Sequence, residues 1–117
     1  MAEAAGRLTG RLLFFLKRAR ANQTSRDYSM SGLELGPART GILAKVVAYN
    51  NTLTTLHLSR KNIEDTAGVE IARILHTNTT LRKLELEFNR LGPMTAKELG
   101  IALQRNKTLR YLDLESN

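Results

Sequence analysis

TTLRKLELEFNRLGPMTAKELGIALQRN, residues 79–106, sets two apolar rhythms end to end. Leu81, Leu84, Leu86 and Leu91 follow the spacing of a short strand whose apolar side chains share one side. Leu99, Ala102 and Leu103 then follow helical spacing. One strand and one helix cannot bury their own apolar faces, so the unit requires neighbours built the same way.

Those neighbours are present at a fixed interval of 28 residues. Leu53, Leu81 and Leu109 keep it, as do Leu56, Leu84 and Leu112, and Leu58, Leu86 and Leu114. In the helical half, Ile71 aligns with Leu99, Ile74 with Ala102, Leu75 with Leu103 and Asn78 with Asn106. Upstream, Leu35-Gly36-Pro37 lies two periods before Leu91-Gly92-Pro93, and Leu43, Val46, Val47 and Asn50 fall into the same register. Tyr28 and Met30 take the places of Leu56 and Leu58. The chain therefore reads as a degenerate repeat over 24–50, full repeats over 51–78 and 79–106, and a partial one over 107–117.

The motif LxxLxLxxN followed by a helix resembles the leucine-rich repeats, and the 28-residue period resembles their ribonuclease-inhibitor-like subfamily. Leu81-x-x-Leu84-x-Leu86-x-x-Asn89-x-Leu91 matches the core motif; Leu53 to Ile63 matches except at Lys61, where the family has Asn. The resemblance implies an α/β curved solenoid with parallel strands on the concave face and helices on the convex face. It also implies a differently bonded turn at Lys61. Pro37 and Pro93 fall near first helical turns, where a missing N–H costs little. Ribonuclease-inhibitor-like repeats commonly serve as intracellular recognition or structural modules.

Ahead of the repeats, residues 1–23 form a basic amphipathic segment, with a helix expected over Ala4 to Ala21. Leu8, Leu12, Leu13, Phe15 and Leu16 share its broad apolar face. One reading is a cap over the end of the solenoid. The other is docking on an anionic surface (a membrane, less readily RNA) or an acidic partner through Arg7, Arg11, Phe14, Phe15, Lys17 and Arg18. Six Lys/Arg against one acid in residues 1–26 also fit a mitochondrial presequence, the alternative to a cytoplasmic setting. The net charge of +7 is uneven, with eight cations against three acids in residues 1–45 and ten against eight afterwards. The chain has no cysteine, so it has neither a disulfide framework nor a thiolate metal site.

On the expected concave face, side chains between the inward leucines form three ladders: Thr55/Lys83/Tyr111, His57/Glu85/Asp113 and Ser59/Glu87/Glu115, with Ser29 and Ser31 extending the last two. Glu85, Glu87, Asp113 and Glu115 place four acids on two neighbouring strands, where like charges repel. The candidate partner-binding residues are thus His57, Lys83, Glu85, Glu87, Tyr111, Asp113 and Glu115, with aromatic Tyr111 as the anchor. The alternative is a solvated acidic face.

His57 and His76 are the only histidines and fall on different faces. With neither a nucleophile nor a ligand set beside them, the sequence argues against catalysis, metals and cofactors. The sequons at Asn50, Asn78 and Asn106 recur at the helix-to-strand turn and are read as helix-ending asparagines with positive φ; with the one at Asn22, they are not read as glycosylation sites. Asn117 ends the strand and turn of a repeat without its helix, which reads as a fragment of a longer solenoid. The expected function is a protein-interaction scaffold in an intracellular assembly, such as a cytoskeletal or ciliary complex, with no small-molecule substrate.

Overall fold

The computed structural model describes residues 10–117. Four three-residue strands, β1 (Asp27–Ser29), β2 (Thr55–His57), β3 (Lys83–Glu85) and β4 (Tyr111–Asp113), alternate with helices α1 (Gly10–Arg20), α2 (Gly36–Tyr49), α3 (Asp65–Thr77) and α4 (Pro93–Leu103). The strands form one parallel sheet in chain order, and each crossover is a helix, as parallel neighbours require. Pairing joins residues 28 apart, so Tyr28, Leu56, Leu84 and Leu112 stand in one row.

The core lies between the sheet and the helices. Leu53, Leu56, Leu58, Leu81, Leu84 and Leu86 are fully enclosed, facing Leu43, Ile71 and Leu75 from the helices. Met30, standing where the later repeats have leucine, is enclosed as well. The regular leucine spacing thus produces an open leucine-rich-repeat solenoid. Strands about 4.8 Å apart, against helices about 10 Å apart, curve it toward the sheet.

The asparagines that end the helices work differently from the expectation. Asn50 and Asn78 have φ of −73° and −70°, in extended backbone. Their side chains do the work instead. Nδ2 of Asn50, Asn78 and Asn106 donates to the carbonyls of Ala19, Val47 and Leu75, each 31 residues upstream, at 2.9, 2.9 and 3.1 Å. Each Oδ1 accepts the N–H groups two and three residues ahead. Each amide therefore ties one helix end to the next strand, satisfying groups that burial would otherwise strand.

This ladder begins in α1. Asn22 precedes Asn50 by one period, as Phe15 precedes Leu43 and Ala19 precedes Val47. The N-terminal helix thus occupies the place of a repeat helix, in register with the others. Leu12, Phe15, Leu16 and Ala19 are buried, and the Phe15 ring stacks on Tyr28 with centroids 4.3 Å apart. Leu13 is only half-buried and Phe14 is 65% exposed, a narrower apolar face than the sequence suggests. Leu8 and the rest of 4–9 fall outside the described residues.

Candidate functional site

Strand pairing places Asp27 beside Thr55, Lys83 and Tyr111, and Ser29 beside His57, Glu85 and Asp113. Main-chain hydrogen bonds from Arg60 to Glu87 and from Phe88 to Glu115 continue the pairing past the strand ends, where Ser59, Glu87 and Glu115 lie. The alternation that buries the leucines leaves all three ladders on the open face of the sheet. Asp27, one period before Thr55, was absent from the expected set.

These side chains make a polar web across the four strands. His57 sits on β2 between two carboxylates, with Nε2 2.7 Å from Asp27 Oδ1 and Nδ1 hydrogen-bonded to Glu85. Lys83 Nζ lies 3.3 Å from the other Glu85 oxygen and 4.8 Å from the centre of the Tyr111 ring. Burial disfavours the imidazolium, but the hydrogen bonds and charges of Glu85 and Asp27 outweigh it and raise the His57 pKa above its ordinary value.

The expected row of mutually repelling acids is therefore corrected at Glu85, which is bracketed by His57 and Lys83. The others differ. Glu87 Oε1 is enclosed without a hydrogen-bond partner among the described residues. Asp113 accepts the Glu115 N–H at 3.0 Å and forms no ion pair among those residues, and Tyr111 is 49% exposed beside it.

A second surface feature lies at the strand-to-helix turns. Gly32, Arg60, Phe88 and Ser116, spaced by one period, all have positive φ. In the last three the left-handed backbone costs about 1–2 kcal/mol apiece. Arg60 and Phe88 meet there, the guanidinium 4.1 Å from the ring centre. The periodicity could have located these positions, but nothing in the residue types marks the torsion.

The N-terminal docking set is divided by the fold. Arg7 lies outside the described residues. Phe15 is removed from any docking face because its ring is in the core. Arg11 turns onto the sheet, donating to the carbonyls of Ser31 and Ser29 at 3.0 and 3.3 Å. Arg18 donates to Gln23 O and lies 5.7 Å from the Phe14 ring. Phe14, Lys17 and Arg18 thus share an exposed outer edge. His76 is 3.2 Å from Glu98 on the helical side, away from His57. Among the described residues no three His, Asp or Glu gather to hold a metal, and no helix is long and apolar enough to cross a membrane.

Comparison with known proteins agrees with this geometry. A family model described as "Leucine Rich repeat" matches residues 49–72, 77–94 and 105–117. A solved chain titled "Leiomodin-1 Actin-Binding Site 2 (ABS2)" superposes with a TM-score of 0.86 over 94% of this chain at 18% identity. This chain spans 65% of that one. A Caenorhabditis elegans structure titled as a tropomodulin C-terminal domain gives a TM-score of 0.67 at 14% identity, covering 91% of this chain and 83% of its own. No curated protein sequence matches. At these identities the structural likeness concerns fold.

Proposed function

Taking as premise that this chain is a leucine-rich repeat protein, we propose that it is a non-catalytic protein-interaction module that engages its partner through the concave face. One observation carries this reading: the β3–β4 end of that face presents Glu87, Asp113 and Glu115 without cation partners among the described residues, beside exposed Tyr111. Asp113 and Glu115 reach solvent, so a basic partner side chain can pair with them without displacing a cation of this chain. An aromatic ring flanked by charge supplies the apolar anchor that concentrates binding energy.

The leiomodin structure's title names an actin-binding site, which makes a cytoskeletal setting the first to test and actin the first partner to try. Ciliary and other intracellular assemblies are tested by the same capture experiment. Reversing charge with Asp113→Lys and Glu115→Lys together, two carboxylates without a cation partner among the described residues, is expected to abolish partner capture while leaving the circular dichroism spectrum unchanged. Unchanged capture removes the concave ladder from the account.

A second reading rests on the exposed edge of α1, where Phe14, Lys17 and Arg18 put an apolar ring among cations. Such an edge suits an anionic membrane surface. Deleting α1 would uncover Tyr28, so the informative variant is Phe14→Ser with Lys17→Glu. Loss of binding to phosphatidylserine vesicles at unchanged thermal stability supports this reading, and unchanged binding ends it.

A further inference from the structure

The turn after β2 departs from the asparagine pattern, and the departure furnishes a cavity. In the turns after β3 and β4, Asn89 and Asn117 donate Nδ2 to Leu58 O and Leu86 O, each 31 residues upstream, at 2.9 Å. Lys61 occupies the equivalent position and makes the equivalent bond from Nζ to Met30 O, with a second to Leu33 O at 2.6 Å. A neutral amide has been replaced by an ammonium with three donors, and carbonyls occupy two of them.

Lys61 lines a cavity of about 240 Å³ together with Arg60, His57 and the hydroxyl-bearing Ser29, Ser31 and Ser59. Among the described residues no carboxylate lines it. Arg11 closes one edge through its bonds to the Ser29 and Ser31 carbonyls, with its guanidinium 3.6 Å from where a Cβ on Gly32 would stand. The His57 charge is already shared by Asp27 and Glu85. Arg11, Arg60 and Lys61, in contrast, form no ion pair among the described residues. Burial and the Arg11 charge hold Lys61 below the usual ammonium range, against an opposing pull from Glu34. Convergent cations and hydroxyls around a space without carboxylates are the complement of a tetrahedral oxyanion.

We propose that this cavity binds the phosphate of a phosphorylated side chain on a partner segment lying across the concave face. The inference rests on the concave-face reading above. Its position favours a protein ligand over a lipid headgroup, because a flat bilayer does not enter a concave sheet. The face is also polarised past the strand ends: Arg11, Arg60 and Lys61 gather beside β1 and β2, where the one nearby carboxylate on the strands, Asp27, is held by His57, while Glu87, Asp113 and Glu115 lie one to two strands further on. Two strand spacings are about 10 Å, or about three residues of extended peptide. The fitting segment carries a phosphorylated residue with Lys or Arg about three residues away.

The test is a nuclear magnetic resonance titration of the full chain. Its probes are inorganic phosphate and a peptide with phosphoserine three residues from a lysine. Amide shifts are expected around Ser29, Ser31, Gly32, Ser59 and Lys61. Lys61→Asn installs the asparagine that the later turns use, so it preserves the fold. It is expected to weaken both probes by about tenfold or more. Shifts centred instead on Arg26, Arg82 and Arg110, exposed residues that share one register position just before β1, β3 and β4, or unchanged affinity in Lys61→Asn, overturn the proposal. So does Lys61-dependent binding to vesicles containing phosphatidylinositol phosphate when the phosphopeptide fails to bind, which assigns the site to lipid. The two readings fail separately. If Asp113→Lys/Glu115→Lys abolishes partner capture but neither probe reaches the cavity, only this inference falls. If both probes bind there but capture is unaffected by that variant, the cavity stands and the acidic docking face falls.

Discussion

The junction between the repeats of β1 and β2 and the junction between those of β2 and β3 use equivalent positions, yet they close differently. At the second, Asp65 reaches across to the start of α4 and accepts the N–H groups of Gly92, Met94 and Thr95 and the Thr95 hydroxyl, at 2.8, 3.1, 3.1 and 2.6 Å. One repeat thereby caps the helix of the next. Gly68 allows the approach, since a Cβ there would stand 2.2 Å from Thr95 Oγ1 and 2.6 Å from Leu91 Cδ2.

At the first junction, one period upstream, Pro37 stands in place of Asp65 and Thr40 in place of Gly68. Proline offers no side-chain acceptor, and Thr40 turns its hydroxyl back to Gly36 O at 2.7 Å. Among the described residues no side chain of the preceding repeat caps α3, and a cavity of about 410 Å³ opens among Leu33, Pro37, Lys61 and Ala67. The second junction adds a polar clasp between repeats. The looser one has room for a cation and the chemistry a cation brings.

The largest effect expected from this contrast is at the asparagine turn. Asn89 is buried, with Oδ1 accepting the Lys61 and Ile63 N–H groups at 2.8 and 3.1 Å. Asn89→Ala is expected to cost about 2–4 kcal/mol in urea unfolding, because several buried groups lose their partners together. Lys61→Asn, the same position one turn earlier, is expected to stay within about 1 kcal/mol of the parent. Equal losses would show that the two turns do not differ as described.

Gly68→Ala probes the tight junction directly. Overpacking there is expected to cost about 1–3 kcal/mol, with thermal unfolding as the check. A neutral result would mean that α3 and α4 have slack between them.

The smallest expected effect is a pH dependence at the looser end, where His57 ties β1 to β3 through Asp27 and Glu85. Its folded pKa is raised, so the folded state holds the proton more tightly than the unfolded one. The contribution is complete below an unfolded value of about 6.5 and fades as pH rises through the raised folded value. His57→Gln is expected to flatten the fall in melting temperature across that window. A slope that persists in the variant would place its origin elsewhere.

The sheet and its register were legible because leucines at a fixed period survive in most repeats. Leu84 and Leu112 find their rows without help. The same period also reached α1 through Asn22 and Phe15, but Arg18, at the position of Val46 and Ile74, breaks the apolar pattern there and hides it. Spacing located Asn50 and Asn78 correctly and their torsions wrongly, since an interval in sequence reports position and not backbone angle. Lys61 stood out as a departure, but its acceptors lie 31 and 28 residues upstream, beyond any local motif. The acidic ladder follows from strand alternation and the repeat spacing, which place residues in rows but do not show which of them pair. Its pairing at Glu85 comes from His57 on the strand beside it and from Lys83 two residues back on its own strand.

Use of the concave face is the central claim, and differential capture tests it most directly. Three forms of the chain are immobilised: the parent, Asp113→Lys/Glu115→Lys, and Lys45→Glu/Arg73→Glu, which reverses charge at two exposed helical positions. Purified actin is offered first, then cell extract with partners identified by mass spectrometry. The account predicts that partners held by the parent are lost from the concave variant and kept by the helical one. Partners kept by the concave variant, or lost from the helical one, would contradict it.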